Sequence, residues 1–113
     1  MTVPVARDLF DLTGQRVLLT GATGGLGRAI AQAMAARGAR VLVSDVDIAA
    51  CEALAAELSP PGTALAADLS VAGAALGLAE AALQCGAVDV LVCNAGVQGP
   101  AGPIGDTTDA DWD

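Results

Sequence analysis

The 113-residue chain contains no histidine, no tyrosine and no lysine. All five of its basic residues are arginines. Without histidine, the common zinc-binding patterns fit the sequence poorly. The three cysteines, Cys51, Cys85 and Cys93, are too widely spaced for a disulfide framework. They are interpreted as small buried hydrophobic residues in a reducing compartment, which predicts a cytoplasmic protein without a metal site.

Basic charge is scarce as well, since thirteen acidic residues against five arginines give a net charge of −8. The arginines do not form the basic stripe that a nucleic-acid partner requires, so nucleic-acid binding is excluded. No apolar run reaches the roughly 18–20 residues needed to span a membrane. Residues 1–12 lack the apolar core of a signal peptide. The sequence therefore predicts neither a membrane nor a nucleic-acid partner.

Aromatic residues are almost absent, with Phe10 and Trp112 as the only two, so the core must consist of valine, leucine, isoleucine and alanine. Hydrophobic residues make up 54% of the chain, which argues against disorder. A chain of this length can bury roughly 60–70% of its unfolded surface. One domain covering residues 1–113 is therefore predicted.

Short apolar runs alternate with segments of helical periodicity. Strands are predicted at residues 16–20, 39–44, 63–67 and 88–93. Helices are predicted at residues 26–37, 48–58 and 71–85, with another beginning near Asp109 or Ala110 after a Gly/Pro loop at 98–105. Strands too apolar to alternate are typical of a parallel sheet covered by helices on both faces. The predicted class is α/β, with right-handed crossovers.

Several local features accompany this pattern. Asp47 and Ser70 are predicted N-caps of the second and third helices. On the third helix, Leu76 and Leu83 are expected to face the core. In the segment before the first strand, Leu9, Phe10 and Leu12 are expected to pack on the sheet edge.

The most informative segment is residues 20–27, Thr-Gly-Ala-Thr-Gly-Gly-Leu-Gly, between the first strand and the first helix. Gly21 permits a tight turn, Gly25 keeps the backbone open to a pyrophosphate, and Gly27 lets the helix lie close to the sheet. A phosphate there would meet the N–H groups of the first helical turn and the positive end of the helix dipole. The alternative is a tight strand-to-helix turn without a ligand.

Asp45 follows the second predicted strand. Its carboxylate can accept hydrogen bonds from both ribose hydroxyls of an adenosine, and it would repel a 2′-phosphate. Neither Val46 nor Gly24 supplies a basic side chain to neutralise that phosphate, so NAD is preferred over NADP. The alternative role is to cap the second helix, which Asp47 could do equally well.

Polar and small residues also follow the third and fourth strands. Asp68 can accept a hydrogen bond from the adenine amino group, with Leu69 as an apolar wall, although a simple turn is the alternative. Asn94 is expected to bridge neighbouring strand backbones, while Ala95 and Gly96 leave space for ribose. Because parallel strands end at one edge of a sheet, these residues are predicted to surround a cofactor crevice.

The segments 20–27, 45, 68–69 and 94–96 resemble, in order and spacing, the motifs of the short-chain dehydrogenase/reductase family. The resemblance covers residues from about 9 to 112. It implies a seven-stranded, doubly wound parallel sheet of the Rossmann type, to which this chain would contribute a β-α-β-α-β-α-β portion with strand order 3-2-1-4. The cofactor-binding residues that it implies are Thr20, Gly21, Thr23, Gly24, Gly25, Leu26, Gly27, Asp45, Val46, Asp68, Leu69, Asn94, Ala95 and Gly96.

The family resemblance further implies NAD(P)-dependent hydride transfer between an alcohol and a carbonyl substrate, by a homo-oligomer. Family members move the accompanying proton with a Tyr-x-x-x-Lys pair, a serine and a helix asparagine. This chain has no tyrosine or lysine, and Ser44, Ser59 and Ser70 precede the fourth strand and cannot replace that serine. No catalytic residue is therefore predicted. The expectation is the cofactor-binding half of such an enzyme, truncated and inactive alone.

Two other interpretations stay open. One is a non-catalytic NAD-binding module, completed by a partner chain that pairs with the apolar fourth strand, or an inactive fragment. The other is a methyltransferase, which the glycine spacing and the Asn-Ala-Gly segment disfavour.

Overall fold

The computed structural model describes residues 8–97 and 101–112, within which four strands alternate with helices. The strands are β1 (Arg16–Thr20), β2 (Arg40–Asp45), β3 (Thr63–Ala66) and β4 (Val90–Val92). The helices are α1 (Gly25–Ala36), α2 (Ile48–Glu57), α3 (Ala74–Gln84) and α4 (Asp109–Trp112), with a 3-10 turn at Ile104–Asp106. None of these helices is long and apolar enough to cross a membrane. The predicted α/β alternation is confirmed.

All strand pairs are parallel, and the sheet order is β3-β2-β1-β4, as the resemblance implied. Strand β1 lies inside the sheet and pairs with β2 from Arg16 opposite Arg40 to Thr20 opposite Ser44. Because the strands run in one direction, their last residues meet at one edge, here called the C-terminal edge. Their first residues meet at the opposite, N-terminal edge. The two edges therefore carry different parts of the sequence.

Different helices cover the two faces of the sheet. Val17 and Leu19 of β1 are fully buried in a cluster with residues of α1 and α2. Leu18, between them in sequence, is buried on the other face against Leu78 of α3. Successive side chains of a strand point to opposite faces, so a sheet covered on both sides needs apolar residues at every position. This explains why the strands do not alternate.

The start of α3 differs from the prediction. The Ser70 hydroxyl donates to Asp68 Oδ1 at 2.6 Å, so Ser70 belongs to a turn before the helix and does not cap it. Gly73 occupies the N-cap with φ of 83°, and α3 begins at Ala74 rather than near residue 71. Aspartate and serine side chains favour such local turns over continuation of a helix.

The inward face of α3 was also predicted wrongly. Leu76 is 66% exposed and Leu83 is 62% exposed, whereas Leu78 and Ala82 are buried. Positions 76 and 83, like 78 and 82, share one side of a helix. Spacing alone therefore could not select the face that meets the sheet.

Three smaller expectations have mixed outcomes. Leu9 and Phe10 are exposed, and Phe10 lies 5.8 Å beneath the guanidinium of Arg37. Leu12 is partly buried against the cluster that contains Val17 and Leu19, so only this residue of the three packs as expected. Of the three cysteines, only Cys51 is fully buried, while Cys85 is half-buried and Cys93 is exposed. The start of α4 at Asp109 agrees with the prediction, and residues 98–100 of the predicted loop lie outside the described residues.

Strand β4 is shorter than predicted, and within the described residues it pairs only with β1. Leu91, at its middle, is 59% exposed. An apolar strand with an unpaired edge presents free backbone groups to other chains. This edge is therefore open to intermolecular pairing.

We predict that the 113-residue chain self-associates through β4. Replacing Leu91 with lysine should shift the population toward monomer, because a charge on an edge strand opposes pairing. Analytical ultracentrifugation over a concentration series measures this shift. Leu76→Lys, a similarly exposed leucine on α3, is the matched control and should leave association unchanged. A monodisperse monomer of the unsubstituted chain would contradict the prediction.

Candidate functional site

Two glycines bring the loop after β1 close to its neighbours. Gly21 has φ of 62°, and a Cβ atom there would lie 2.9 Å from the Cα of Ala95. A Cβ atom on Gly27 would lie 2.8 Å from the Cα of Ala22. At Gly21, only glycine permits both the positive φ and the close backbone approach. At Gly27, the close backbone approach alone requires glycine. The tight turn and the close helix packing therefore depend on these two positions.

Gly25, between them, faces open space, with no heavy atom within 4 Å of where its Cβ would stand. Among the described residues no side chain caps α1, and its first turn carries no acidic residue. By contrast, the Asp47 carboxylate caps α2 by accepting hydrogen bonds from Ala49 and Ala50 N–H at 2.9 and 3.3 Å. An uncapped helix N-terminus beside an open backbone surface suits an anion such as phosphate.

A buried hydroxyl joins this loop to the segment after β4. Thr20 is only 7% exposed, and its Oγ1 accepts hydrogen bonds from the N–H groups of Asn94 at 3.1 Å and Ala95 at 3.0 Å. The same hydroxyl donates to the carbonyl of Val92 at 3.4 Å. The Asn94 side-chain amide donates to the carbonyl of Gly21 at 3.2 Å. The bridge predicted for Asn94 is thus present.

Asp45 ends β2 and turns its carboxylate toward the glycine loop. Oδ2 accepts hydrogen bonds from the Thr23 hydroxyl at 2.7 Å and from the Thr23 N–H at 3.2 Å, and Oδ1 accepts one from Val46 N–H at 2.8 Å. Since Asp47 caps α2, the helix-cap alternative for Asp45 is excluded. A carboxylate offers about four acceptor positions, so Asp45 keeps acceptor capacity for a ligand. The expectation that it accepts both ribose hydroxyls stays a prediction.

The hydrogen bonds also control the charge of Asp45. Partial burial raises its pKa, but the bonds from the Thr23 hydroxyl, the Val46 N–H and the Thr23 N–H outweigh burial, and the net pKa is below the ordinary value. Asp45 is therefore an anion at neutral pH. Because its folded pKa lies below its unfolded value of about 3.9, it stabilises the fold above that pH. This contribution is lost as the pH falls through the folded pKa.

Asp68 and Leu69 lie exposed at the same edge. Asp68 Oδ1 accepts hydrogen bonds from the Ser70 hydroxyl and from the Ser70 N–H at 3.0 Å, and these bonds lower the pKa of Asp68. The turn role that the sequence left open is therefore present. The N–H of Ala67 donates to the carbonyl of Asp45 at 3.0 Å, which places this turn beside the end of β2.

The C-terminal edge thus assembles most of the predicted site. Direct hydrogen bonds join the loop 20–27 to Asp45 and to the segment 94–96, whereas 68–69 is connected through the backbone of Ala67. Sequence reasoning missed Ala22, whose N–H donates to the carbonyl of Ser44 at 3.0 Å. Its position between two predicted site residues was the only signal. In the described part of the chain, no group of three histidine, cysteine, aspartate or glutamate residues could hold a metal ion.

Comparison with known proteins identifies this arrangement. The family model described as short chain dehydrogenase matches residues 15–113. The chain belongs to the short-chain dehydrogenase family. It is 42% identical over 108 residues to nodulation protein G of Rhizobium sp. (strain N33), covering 93% of this chain and 43% of that protein. It is also 40% identical over 108 residues to the D-threitol dehydrogenase of Mycolicibacterium smegmatis, covering 92% and 41%.

Solved members of the family share the fold of this short-chain dehydrogenase chain. The 3-oxoacyl (acyl-carrier-protein) reductase of Agrobacterium tumefaciens C58, whose structure contains NADP, superposes with a TM-score of 0.77 at 37% identity. The matched region covers 91% of this chain and 41% of the reductase. The chain therefore spans about two fifths of the length of these relatives.

We predict that Thr23→Val raises the pKa of Asp45, because the variant loses the hydroxyl donor that stabilises the carboxylate. Side-chain carboxyl NMR titration measures this change, and the acid loss of stability should begin at a higher pH than in the unsubstituted chain.

Ser70→Ala is the reciprocal control: it should raise the pKa of Asp68 and leave that of Asp45 unchanged. An Asp45 pKa that does not respond to Thr23→Val would refute the assigned hydrogen bond.

Proposed function

We propose that residues 1–113 form one unit, the nicotinamide-dinucleotide-binding half of an oxidoreductase. Bound cofactor would supply or accept a hydride in the interconversion of an alcohol and a carbonyl compound. The observation that carries this proposal is the open, uncapped N-terminus of α1 at Gly25, next to the anionic Asp45. The first-turn N–H groups would hold the pyrophosphate, and the Asp45 carboxylate would accept hydrogen bonds from the adenosine ribose hydroxyls.

The other lining residues have assigned parts in the same proposal. Leu26, although apolar, is exposed in the first turn of α1, where it would cover the pyrophosphate. Asp68 would accept a hydrogen bond from the adenine amino group, with Leu69 against the ring. Ala95 and Gly96 would border the nicotinamide ribose. Gly96 faces open space, since a Cβ atom added there would have no neighbouring atom within 4 Å.

We propose further that the site prefers NAD to NADP. A 2′-phosphate on the adenosine ribose would face the Asp45 carboxylate, and like charges at close range repel. Val46 is exposed and apolar and Gly24 has no side chain, so neither residue supplies a neutralising cation. The NADP in the Agrobacterium reductase belongs to that protein.

The chain should bind NADH more tightly than NADPH. Asp45→Ala should reduce the ratio of the two affinities about tenfold. The variant loses the charged hydrogen bond that favours NADH and also the repulsion that disfavours the 2′-phosphate of NADPH. Fluorescence titration with each reduced cofactor measures both affinities.

Asp47→Asn is the matched control for this comparison. It removes a negative charge two positions away but keeps a good helix cap, so it should leave the NADH/NADPH ratio unchanged. Equal affinity of the unsubstituted chain for the two cofactors would overturn the NAD preference. Failure to bind either cofactor would overturn the function as a whole.

Catalysis requires groups that this chain does not contain. The family moves its proton through a tyrosine and a lysine, and both residue types are missing here. We therefore propose that the 113 residues bind and orient the cofactor without supplying the catalytic acid or base.

The purified chain should show no cofactor-dependent oxidation of alcohols or reduction of ketones, because no residue can act as the family's proton donor. The absorbance of reduced nicotinamide follows the reaction, with the D-threitol dehydrogenase of M. smegmatis and D-threitol as the positive control. Turnover by the chain alone would contradict this assignment and would require a different catalytic group.

We propose a small alcohol or carbonyl compound as the substrate class of the complete enzyme, and a homo-oligomer as its assembly. A cytoplasmic location is also proposed. The three free cysteines support a reducing compartment, and burial raises the pKa of the Cys51 thiol, which keeps it protonated and unreactive.

A further inference from the structure

Two arginines meet at the N-terminal edge, opposite the glycine loop. Arg16 begins β1 and Arg40 begins β2, and the two residues are direct partners in the sheet register. Both line a cavity of about 290 Å³. The remaining lining residues are Val41, Leu42, Pro61, Thr63 and Cys85. Two positive charges at one cavity repel each other unless an anion lies between them.

No carboxylate in the described residues supplies that anion. The two ion pairs seen there join Arg28 to Glu57 at 2.6 Å and Arg37 to Asp8 at 3.3 Å, and neither involves a cavity arginine. Acidic residues are abundant, with thirteen against five arginines. The absence of a carboxylate partner for Arg16 and Arg40 in the described residues therefore reflects their position in the fold and not the number of acidic residues in the chain.

Asp89 contacts Arg16 through its backbone. Asp89 Oδ2 accepts a hydrogen bond from the backbone N–H of Arg16 at 2.9 Å. The N–H of Asp89 in turn donates to the carbonyl of Arg16 at 2.9 Å. These bonds hold the start of β1 against the segment before β4 and leave the Arg16 guanidinium without a carboxylate partner.

Gly86 helps to place that guanidinium. It has φ of 124°, and a Cβ atom there would lie 2.6 Å from Cζ of Arg16. The guanidinium therefore packs against the turn between α3 and β4. A planar fork of N–H donors held in this way suits the oxygens of phosphate or carboxylate groups.

We propose that the N-terminal edge carries a second anion site, in which Arg16 and Arg40 bind the oxyanion of a small phosphorylated or carboxylated molecule. Thr63, at the cavity wall, supplies a further hydroxyl donor. The cavity is at the lower end of the size range of small-molecule sites, which leaves room for more than a bare phosphate. This site is independent of the dinucleotide site, because it uses the opposite ends of the strands.

Inorganic phosphate, titrated at constant ionic strength, tests the proposal by two-dimensional amide NMR. The backbone N–H signals of Arg40, Thr63 and Gly86 should shift and saturate. Signals of Gly25 and Gly27 report separately on phosphate at α1, so the two sites are distinguished in one experiment. A parallel titration with acetate identifies whether the pair prefers a phosphate or a carboxylate group, and saturable binding of either supports the site.

Arg40→Gln should weaken binding at the N-terminal edge about tenfold, the effect of losing a charge-assisted hydrogen bond, without changing the response of Gly25. Arg28→Gln removes the same charge from the surface pair with Glu57 and should change the affinity less than about twofold. Arg40→Lys keeps the positive charge but loses the planar guanidinium, so its phosphate affinity should lie between those of Arg28→Gln and Arg40→Gln. If Arg40→Gln does not fold, Arg40→Lys provides the test.

Shifts confined to the glycine loop would overturn the proposal. Equal weakening by Arg28→Gln and Arg40→Gln would also overturn it, since that result reports only the net charge of the chain.

Discussion

The hydroxyl of Thr20 is the contact on which the geometry of the C-terminal edge depends. It is buried at the end of an inner strand and accepts hydrogen bonds from the backbone N–H groups of Asn94 and Ala95. Leaving a buried hydroxyl without partners costs about 1–3 kcal/mol, so these bonds hold the segment after β4 against the glycine loop. Gly21 is then unavoidable, because the backbone of Ala95 occupies the place of any side chain. The Thr20 hydroxyl thus holds the glycine loop and the segment after β4 together as one continuous surface.

The same surface divides its glycines between packing and access. Gly27 allows α1 to approach the loop, which brings the helix N-terminus to the edge of the sheet. Gly25 leaves that N-terminus uncovered, and in the described residues no side chain competes for its N–H groups. Asp45 is anchored by Thr23 and therefore keeps a fixed position and a negative charge beside this opening. An anion and a hydroxyl-bearing ribose would consequently meet complementary groups only a short distance apart.

Parallel strands also separate charge between the two edges of the sheet. The C-terminal edge combines a helix N-terminus with the aspartates Asp45 and Asp68, whereas the N-terminal edge presents Arg16 and Arg40 side by side, together with Asp89 on the backbone of Arg16. In an antiparallel sheet, neighbouring strands would have mixed these residues along one edge. The family model matches residues 15–113, which contain the residues of both edges.

Local sequence determined the features that depend on neighbouring residues. The glycine spacing placed a turn between a strand and a helix, the apolar runs predicted a sheet covered on both faces, and Asp47 capped α2 as expected. The order 3-2-1-4 came from the family resemblance and is correct. Tertiary structure alone decided which face of α3 is buried and which donors occupy Asp45 and Thr20. Those contacts join residues 22 and 75 positions apart, so they depend on how distant segments pack, and neither periodicity nor local propensity carries that information.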